Sequence, residues 1–249
     1  MSAKPKIAFF DFASCEGCQL TVVDSLQKHV ELLDVVEIVQ FREAMTERGE
    51  DYQIAFVEGS CTRQQDEERL LKIREQAAVV IALGACAHMG GVNALRNRQA
   101  VAQASAYVYG NEVETPKAYA ARPASEVIAV DYFIPGCPID QNEFIAAVKA
   151  LLQGRSPQLP DYPVCVECKL RENACVMLQG KACLGSVTRA GCDAICTALG
   201  VGCEGCRGLI PNPNLEGLAI AMSESHIPIA EAEAKQQLFL THQLAGIDG

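Results

Sequence analysis

Lys6-Ile7-Ala8-Phe9-Phe10-Asp11-Phe12-Ala13-Ser14-Cys15-Glu16-Gly17-Cys18, followed by Gln19 to Leu33, reads as strand, loop and helix in succession. The apolar run from Lys6 to Phe12 suits a buried strand, and Leu20, Val22, Val23, Leu26, Val30 and Leu33 recur close to helical spacing. The loop occupies the position of a phosphate-binding turn. Cys15 and Cys18 replace the glycines that cradling a phosphate requires, so no nucleotide site is read there. The alternation continues down the chain. Val35 to Phe41, Ile54 to Val57, Ala77 to Leu83 and Val127 to Ile134 are expected strands, and Gln64 to Gln76, about Val92 to Ala106, and Ile139 to Leu152 are expected helices. Strands alternating with helices predict an α/β domain with a parallel sheet, in which ligands bind along the edge formed by the carboxyl ends of the strands.

Three sulfur-bearing stretches follow such strands: Ser14-Cys15-Glu16-Gly17-Cys18, Gly84-Ala85-Cys86-Ala87-His88 and Pro135-Gly136-Cys137-Pro138. Cys15, Cys18, Cys86 and Cys137 therefore converge on one edge, and four thiolates are what a [4Fe-4S] cluster needs. Gly90 and Gly91 would let the backbone approach a bulky cofactor, although a plain tight turn also explains them. His88 has three readings: a donor to cluster sulfur, a residue of a partner interface, or a structural histidine. Asn111 to Ala124 has no clear period and reads as a loop, and Pro138 is placed near the first turn of the helix that follows.

Composition narrows the class. The chain has 249 residues and 49% hydrophobic content, enough for one large domain plus a smaller one. A net charge of −10 lacks the basic footprint of a nucleic-acid surface, and no apolar stretch approaches the ~20 residues of a membrane span. Met1 to Lys6 runs into the strand pattern without a signal-peptide core or twin arginine, so a cytoplasmic protein is expected. Disulfides are rare in a reducing cytosol. The thirteen cysteines, five before residue 140 and eight between 165 and 206, therefore read as metal ligands rather than as scattered core filler.

Gln153-Gly154-Arg155-Ser156-Pro157-Gln158-Leu159-Pro160 marks a boundary, giving domains 1–154 and 161–249 joined by a linker at 155–160. From Asp161 to about Pro211 cysteine, glycine and short polar stretches leave little apolar material, and ligation supplies folding free energy that burial does not. The economical pairing puts Cys165, Cys168, Cys175 and Cys183 around one centre and Cys192, Cys196, Cys203 and Cys206 around another. Zinc is the alternative, since paired C-x2-C motifs also build zinc ribbons. A third thiolate cage in the same chain favours a row of redox centres. Leu215 to Met222 and Pro228 to about Leu244 are expected helices without a chemical role.

The set Ser14-Cys15-Glu16-Gly17-Cys18-Gln19-Leu20, Glu58-Gly59-Ser60, Gly84-Ala85-Cys86-Ala87, Gly90-Gly91-Val92 and Pro135-Gly136-Cys137-Pro138 resembles the small, electron-transferring subunit of [NiFe] hydrogenases. Cys165-Val166-Glu167-Cys168, the run from Cys183 to Cys192, and Cys203-Glu204-Gly205-Cys206-Arg207-Gly208 are similar to its cytosolic multi-subunit branch: the delta-type subunits of NAD(P)-linked hydrogenases and sulfhydrogenases. The F420-non-reducing hydrogenases stand close behind. The resemblance covers roughly residues 6 to 210. It implies a flavodoxin-like domain holding a proximal [4Fe-4S] cluster by Cys15, Cys18, Cys86 and Cys137 against a separate catalytic large subunit that carries the nickel-iron site. It further implies a distal [4Fe-4S] cluster on Cys165, Cys168, Cys175 and Cys183 and a medial one on Cys192, Cys196, Cys203 and Cys206. The implied partner at the far end is a flavin- and iron-sulfur-containing NAD(P)-reductase module. Some relatives have a histidine at the position of Cys165 and three cysteines at the medial site, which Cys196 would complete here.

Two positions depart from the pattern. Ile139 follows Pro138 where a second proline is common, and Cys61 stands where relatives carry another residue. Cys61 is read as an extra or alternative proximal ligand, a sulfur beside the cluster, or core filler. Glu16 is read either as part of a proton path or as an interface carboxylate. The implied role is electron relay, with no acid, base or nucleophile on this chain. A quinone-oxidoreductase-like cluster subunit is a further alternative, but it usually shows adjacent cysteines in place of Cys15-x2-Cys18 and lacks the eight-cysteine extension.

Overall fold

The computed structural model describes residues 4–110 and 118–246. The chain divides into two compact units, Met1–Pro157 and Gln158–Gly249. In the first, β1 (Lys6–Asp11), β2 (Glu37–Phe41), β3 (Ile54–Glu58), β4 (Val79–Leu83) and β5 (Tyr132–Ile134) form a sheet of order β2-β1-β3-β4-β5, every neighbouring pair parallel. This is the flavodoxin-like order, whose direction of winding reverses between β1 and β3 and opens a crevice there. Helices α1 (Gly17–Lys28), α2 (Gln64–Gln76), α3 (Gly84–Met89), α4 (Val101–Tyr109) and α5 (Gln141–Leu152) complete this unit.

Strand residues alternate between the two faces of the sheet, and both faces are buried. Ile7 and Phe9 of β1 join Phe56, Leu83, Val22 of α1 and Phe144 of α5 in one core. Ala8, Phe10, Val57 and Val80 join Leu70 and Ile73 of α2 in the other. Phe9 stacks on Phe41 and Phe56 at 4.4 and 4.9 Å, and Phe56 meets Phe144 at 5.6 Å. Such pairs stabilise by about 0.5–1.5 kcal/mol beyond their buried area.

The structure corrects several expected boundaries. The helix expected over Gln19 to Leu33 begins at Gly17, taking Cys18 into its first turn, and ends at Lys28 before a separate 3-10 turn, Val30–Asp34. The helix expected from Val92 to Ala106 is two elements, a 3-10 stretch Gly91–Arg98 and α4, separated by extended backbone at Gln99 and Ala100. Its side chains explain the break. Asn93 Nδ2 donates to Ala13 O at 2.7 Å, Arg96 to Tyr119 O at 2.5 Å, and Asn97 Nδ2 to Ala121 O at 2.8 Å, so the segment is held to neighbouring loops. The strand expected over Val127 to Ile134 is shorter, Tyr132–Ile134; just before it Asp131 donates its N–H to Val80 O at 2.9 Å and takes the Val80 N–H on Oδ2 at 2.7 Å, so a side chain stands in for the backbone acceptor. Pro138 precedes α5 rather than entering it. Asp140 caps the helix by accepting the Glu143 N–H at 2.9 Å. Residues 111–117 of the expected loop lie outside the described residues.

The second unit contains α6 (Val164–Leu170), α7 (Ile195–Ala198), α8 (Leu215–Glu224) and α9 (Ile229–Ala245). The cysteine-bearing stretch thus holds two short helices that its composition does not announce. Among the described residues no helix is long and apolar enough to cross a membrane.

Candidate metal centres

All thirteen cysteines are free thiols. In the first unit, Cys15 lies on the loop after β1, Cys18 is the second residue of α1, Cys86 the third of α3 after β4, and Cys137 follows β5. Parallel pairing brings these chain segments to one edge. Ala13 and Ser60 bridge the β1 and β3 loops, and the Ala85 N–H donates to Gly136 O at 2.8 Å, joining the β4 and β5 loops. Cys15 and Cys137 are exposed, Cys86 is half-buried and Cys18 is buried.

Glu58, the last residue of β3, fastens α1 in place. Its carboxylate accepts the backbone N–H of Cys18 at 3.1 Å and of Gln19 at 3.0 Å. Those N–H groups belong to the first turn of α1 and have no intrahelical partner, so a buried acid at the positive helix end satisfies them. Burial pushes the Glu58 carboxyl above its ordinary range, and the two N–H bonds oppose that rise.

The four thiols act on one another. Burial raises Cys18, with Glu58 and then Cys137 and Cys86 adding to it. Burial also pushes Cys86 up to about 12, and Cys137, Cys15 and Glu58 contribute. Cys137 rises through burial, Cys15 and Glu58. Cys18, Cys86 and Cys137, crowded and with their sulfurs partly enclosed, thus resist ionisation until a cation joins them, and coordination then reverses the balance.

Their surroundings fit a [4Fe-4S] group. Gly84 has φ +81°, and a Cβ there would stand 2.3 Å from Cys18 Sγ and 3.4 Å from Gly136 O, so the cradle requires glycine. Gln19 is 1% exposed, and its side chain helps hold the Glu58 carboxyl down against the effect of burial. Gly84→Ala is expected to lower stability by about 1–2 kcal/mol through the left-handed backbone alone. It should also displace Cys18 and reduce bound iron, measured by denaturant unfolding and iron assay of the same preparation.

Other residues singled out in the sequence lie elsewhere. Cys61 is 1% exposed, packed with the α2-side core, and its Sγ lies 3.2 Å from Tyr119 OH. His88 stacks on Phe133 with ring centroids 3.7 Å apart. Glu16 has φ 63° at the N-cap of α1 and is ion-paired to Arg42, which also reaches Asp11 at 3.3 Å.

In the second unit, α6 carries Cys165 and Cys168. The Cys165 N–H donates to Gly185 O at 3.2 Å, and a Cβ on Gly185 would lie 3.4 Å from Cys165 Sγ and 3.5 Å from Cys183 Sγ. Burial pushes Cys165 up to about 11, with Cys183, Cys168 and Cys175 contributing, so these four are neighbours. The Cys203 N–H donates to Cys183 Sγ at 3.2 Å. Burial raises Cys203, with Cys183 and then Cys206 adding to it, and burial raises Cys192, with Glu167 and then Cys196 adding to it. Glu167, between Cys165 and Cys168, accepts the N–H of Gly191 at 2.7 Å and of Ala194 at 3.2 Å, tying α6 to the Cys192 turn. Among the described residues, no three His, Cys, Asp or Glu side chains are gathered for a single metal ion.

Sequence reading did not assign roles to Glu58, Gln19, Gly84 or Arg207. Glu58 and Gly84 stood inside the quoted motifs, but a carboxylate capping a helix from another strand is visible only in three dimensions.

Comparison with known proteins identifies the family. The family described as NADH ubiquinone oxidoreductase, 20 Kd subunit, matches residues 15–151. The chain is 36% identical over 94% of its length and 98% of the relative's to sulfhydrogenase 2 subunit delta of Pyrococcus furiosus. It is 32% identical to a subunit of the vhu F420-non-reducing hydrogenase of Methanococcus voltae, over 84% of this chain and 83% of that one. A chain from the crystal structure of an NAD+-reducing [NiFe]-hydrogenase in the H2-reduced state superposes with TM-score 0.56 and 27% identity, covering 64% of this chain and 96% of that one. Matched over the sheet, its cysteine loops and most of the C-terminal unit, the chain belongs to the NADH ubiquinone oxidoreductase 20 Kd subunit family and, within it, to the small subunits of [NiFe] hydrogenases.

Proposed function

We propose that the chain relays electrons between the nickel-iron site of a large subunit and an NAD(P)-reducing flavin and iron-sulfur module, in the cytoplasm. Three [4Fe-4S] clusters would supply one-electron transfer at potentials set by their surroundings. Cys15, Cys18, Cys86 and Cys137 would hold the proximal one in domain 1–154. In domain 161–249, beyond a linker at 155–160, Cys165, Cys168, Cys175 and Cys183 would hold the distal one and Cys192, Cys196, Cys203 and Cys206 the medial one. Cys61 stays outside the set, since its thiol is engaged with Tyr119 in a separate core.

What supports this reading is that Cys15 and Cys18 follow β1, Cys86 follows β4 and Cys137 follows β5 at one edge of a parallel sheet, where a Cβ on Gly84 would collide with Cys18 Sγ. Protein residues here position and insulate. Glu58 holds the first turn of α1, Gly84 leaves room, and Glu167 joins the two cysteine groups of the second unit. The likeness to the Methanococcus voltae protein supports a second reading, an F420-non-reducing type of complex with a different acceptor module.

Anaerobic purification with metal analysis tests the proposal. The expected result is about twelve irons per chain with matching acid-labile sulfide, accompanied by a nickel-containing large subunit and a flavoprotein. Zinc without iron removes the relay. A nickel-containing complex with no pyridine-nucleotide-reducing subunit selects the second reading.

A further inference from the structure

The side chain of Arg207 is one of the largest in the molecule to be fully enclosed, with 1% exposure. Arginine is almost never buried without compensation, so a guanidinium next to Cys206 in the chain calls for a reason. Its Nε donates to Ala190 O at 2.7 Å, two residues before Cys192. The Arg189 N–H donates to Gly208 O at 2.9 Å on the other side. The side chain thus spans from the turn bearing Cys203 and Cys206 to the turn bearing Cys192.

We propose that Arg207 is a positioning residue that raises the reduction potential of the iron-sulfur centre held by Cys192, Cys196, Cys203 and Cys206. The inference rests on the relay reading above. Four thiolates make such a centre anionic, and reduction adds one electron and no proton. The reduced form therefore carries one more negative charge for the fixed guanidinium to stabilise, in an interior where charges are weakly screened. Arginine suits this because it stays charged at any working pH. Charge and burial are among the factors that set cluster potentials.

The test is a dithionite redox titration of the anaerobically purified complex, followed by electron paramagnetic resonance, for the unsubstituted chain, R207Q and R207K. With iron content equal in all three, one reduced-cluster signal should move to a lower midpoint in R207Q, remain near its original value in R207K, and leave the other signals unmoved. An unmoved midpoint in iron-replete R207Q overturns the inference. So does R207K shifting as far as R207Q, because packing rather than charge would then matter. Loss of about four irons from both variants overturns it as well, since the residue would then build the site rather than tune it. Failure of the relay reading looks different: the unsubstituted chain itself would lack iron, and the inference would fall with it.

Discussion

Stripping iron from the chain under anaerobic chelation should unfold residues 161–208 while leaving the parallel sheet intact. One core of the second unit consists of Val164, Cys168, Val176, Cys183, Ala194 and Cys203, half of them cysteines and none of them large. Leu184 is also buried in this stretch, whereas the buried Leu218 and Met222 belong to α8 and Leu240 to α9. Ordering each residue costs roughly 1–2 kcal/mol of backbone entropy, and so small a core offsets little of that without ligation. Hydrogen exchange should therefore find the amides of α6 and of the Cys192 and Cys203 turns unprotected after chelation. Those of β3 and β4 should keep their protection, since both faces of the sheet are filled by aliphatic and aromatic side chains. Retained protection across 161–208 in iron-free protein would show a self-supporting core and refute the expectation.

Cys86→Ser should lower iron from about twelve to about eight atoms per chain and, in the assembled complex, reduce dihydrogen-driven acceptor reduction to background. Serine is close in size, and α3 is fixed by its backbone bond to Gly136, so the fold should survive. A serine hydroxyl is a poor substitute for a soft thiolate at iron. Cys61→Ser is the control. Its sulfur meets Tyr119 OH at 3.2 Å in the α2-side core, so iron content should stay unchanged. If Cys61→Ser loses four irons and Cys86→Ser none, the proximal set is wrong.

The parallel architecture was legible because its signals are local: the apolar run before Cys15, and a charged helix whose bounds, Gln64–Gln76, agree with the expected ones. Other features depend on distant partners. Helix α3 has only six residues, and with Gly84 at its start and Gly90 after its end it reads as a turn. The apolar run before Ile134 suggested a full strand, but at Asp131 the side chain rather than the backbone carbonyl takes the Val80 N–H, and the regular strand starts one residue later. The cysteine positions could be read from spacing. What surrounds them could not, since burial of Arg207 and the reach of Glu58 to α1 follow from packing.

The sheet order also bears on when the protein can receive its metal. Cys15 and Cys137 stand at opposite ends of the first unit's sequence and become neighbours only after β1, β4 and β5 have zipped through β3. Each group of four in the second unit is nearly contiguous and needs no such prior assembly. On the proposed ligand set, delivery to the first quartet would be conditional on a finished sheet, a built-in checkpoint during biogenesis: a damaged or half-made chain would be left unfilled.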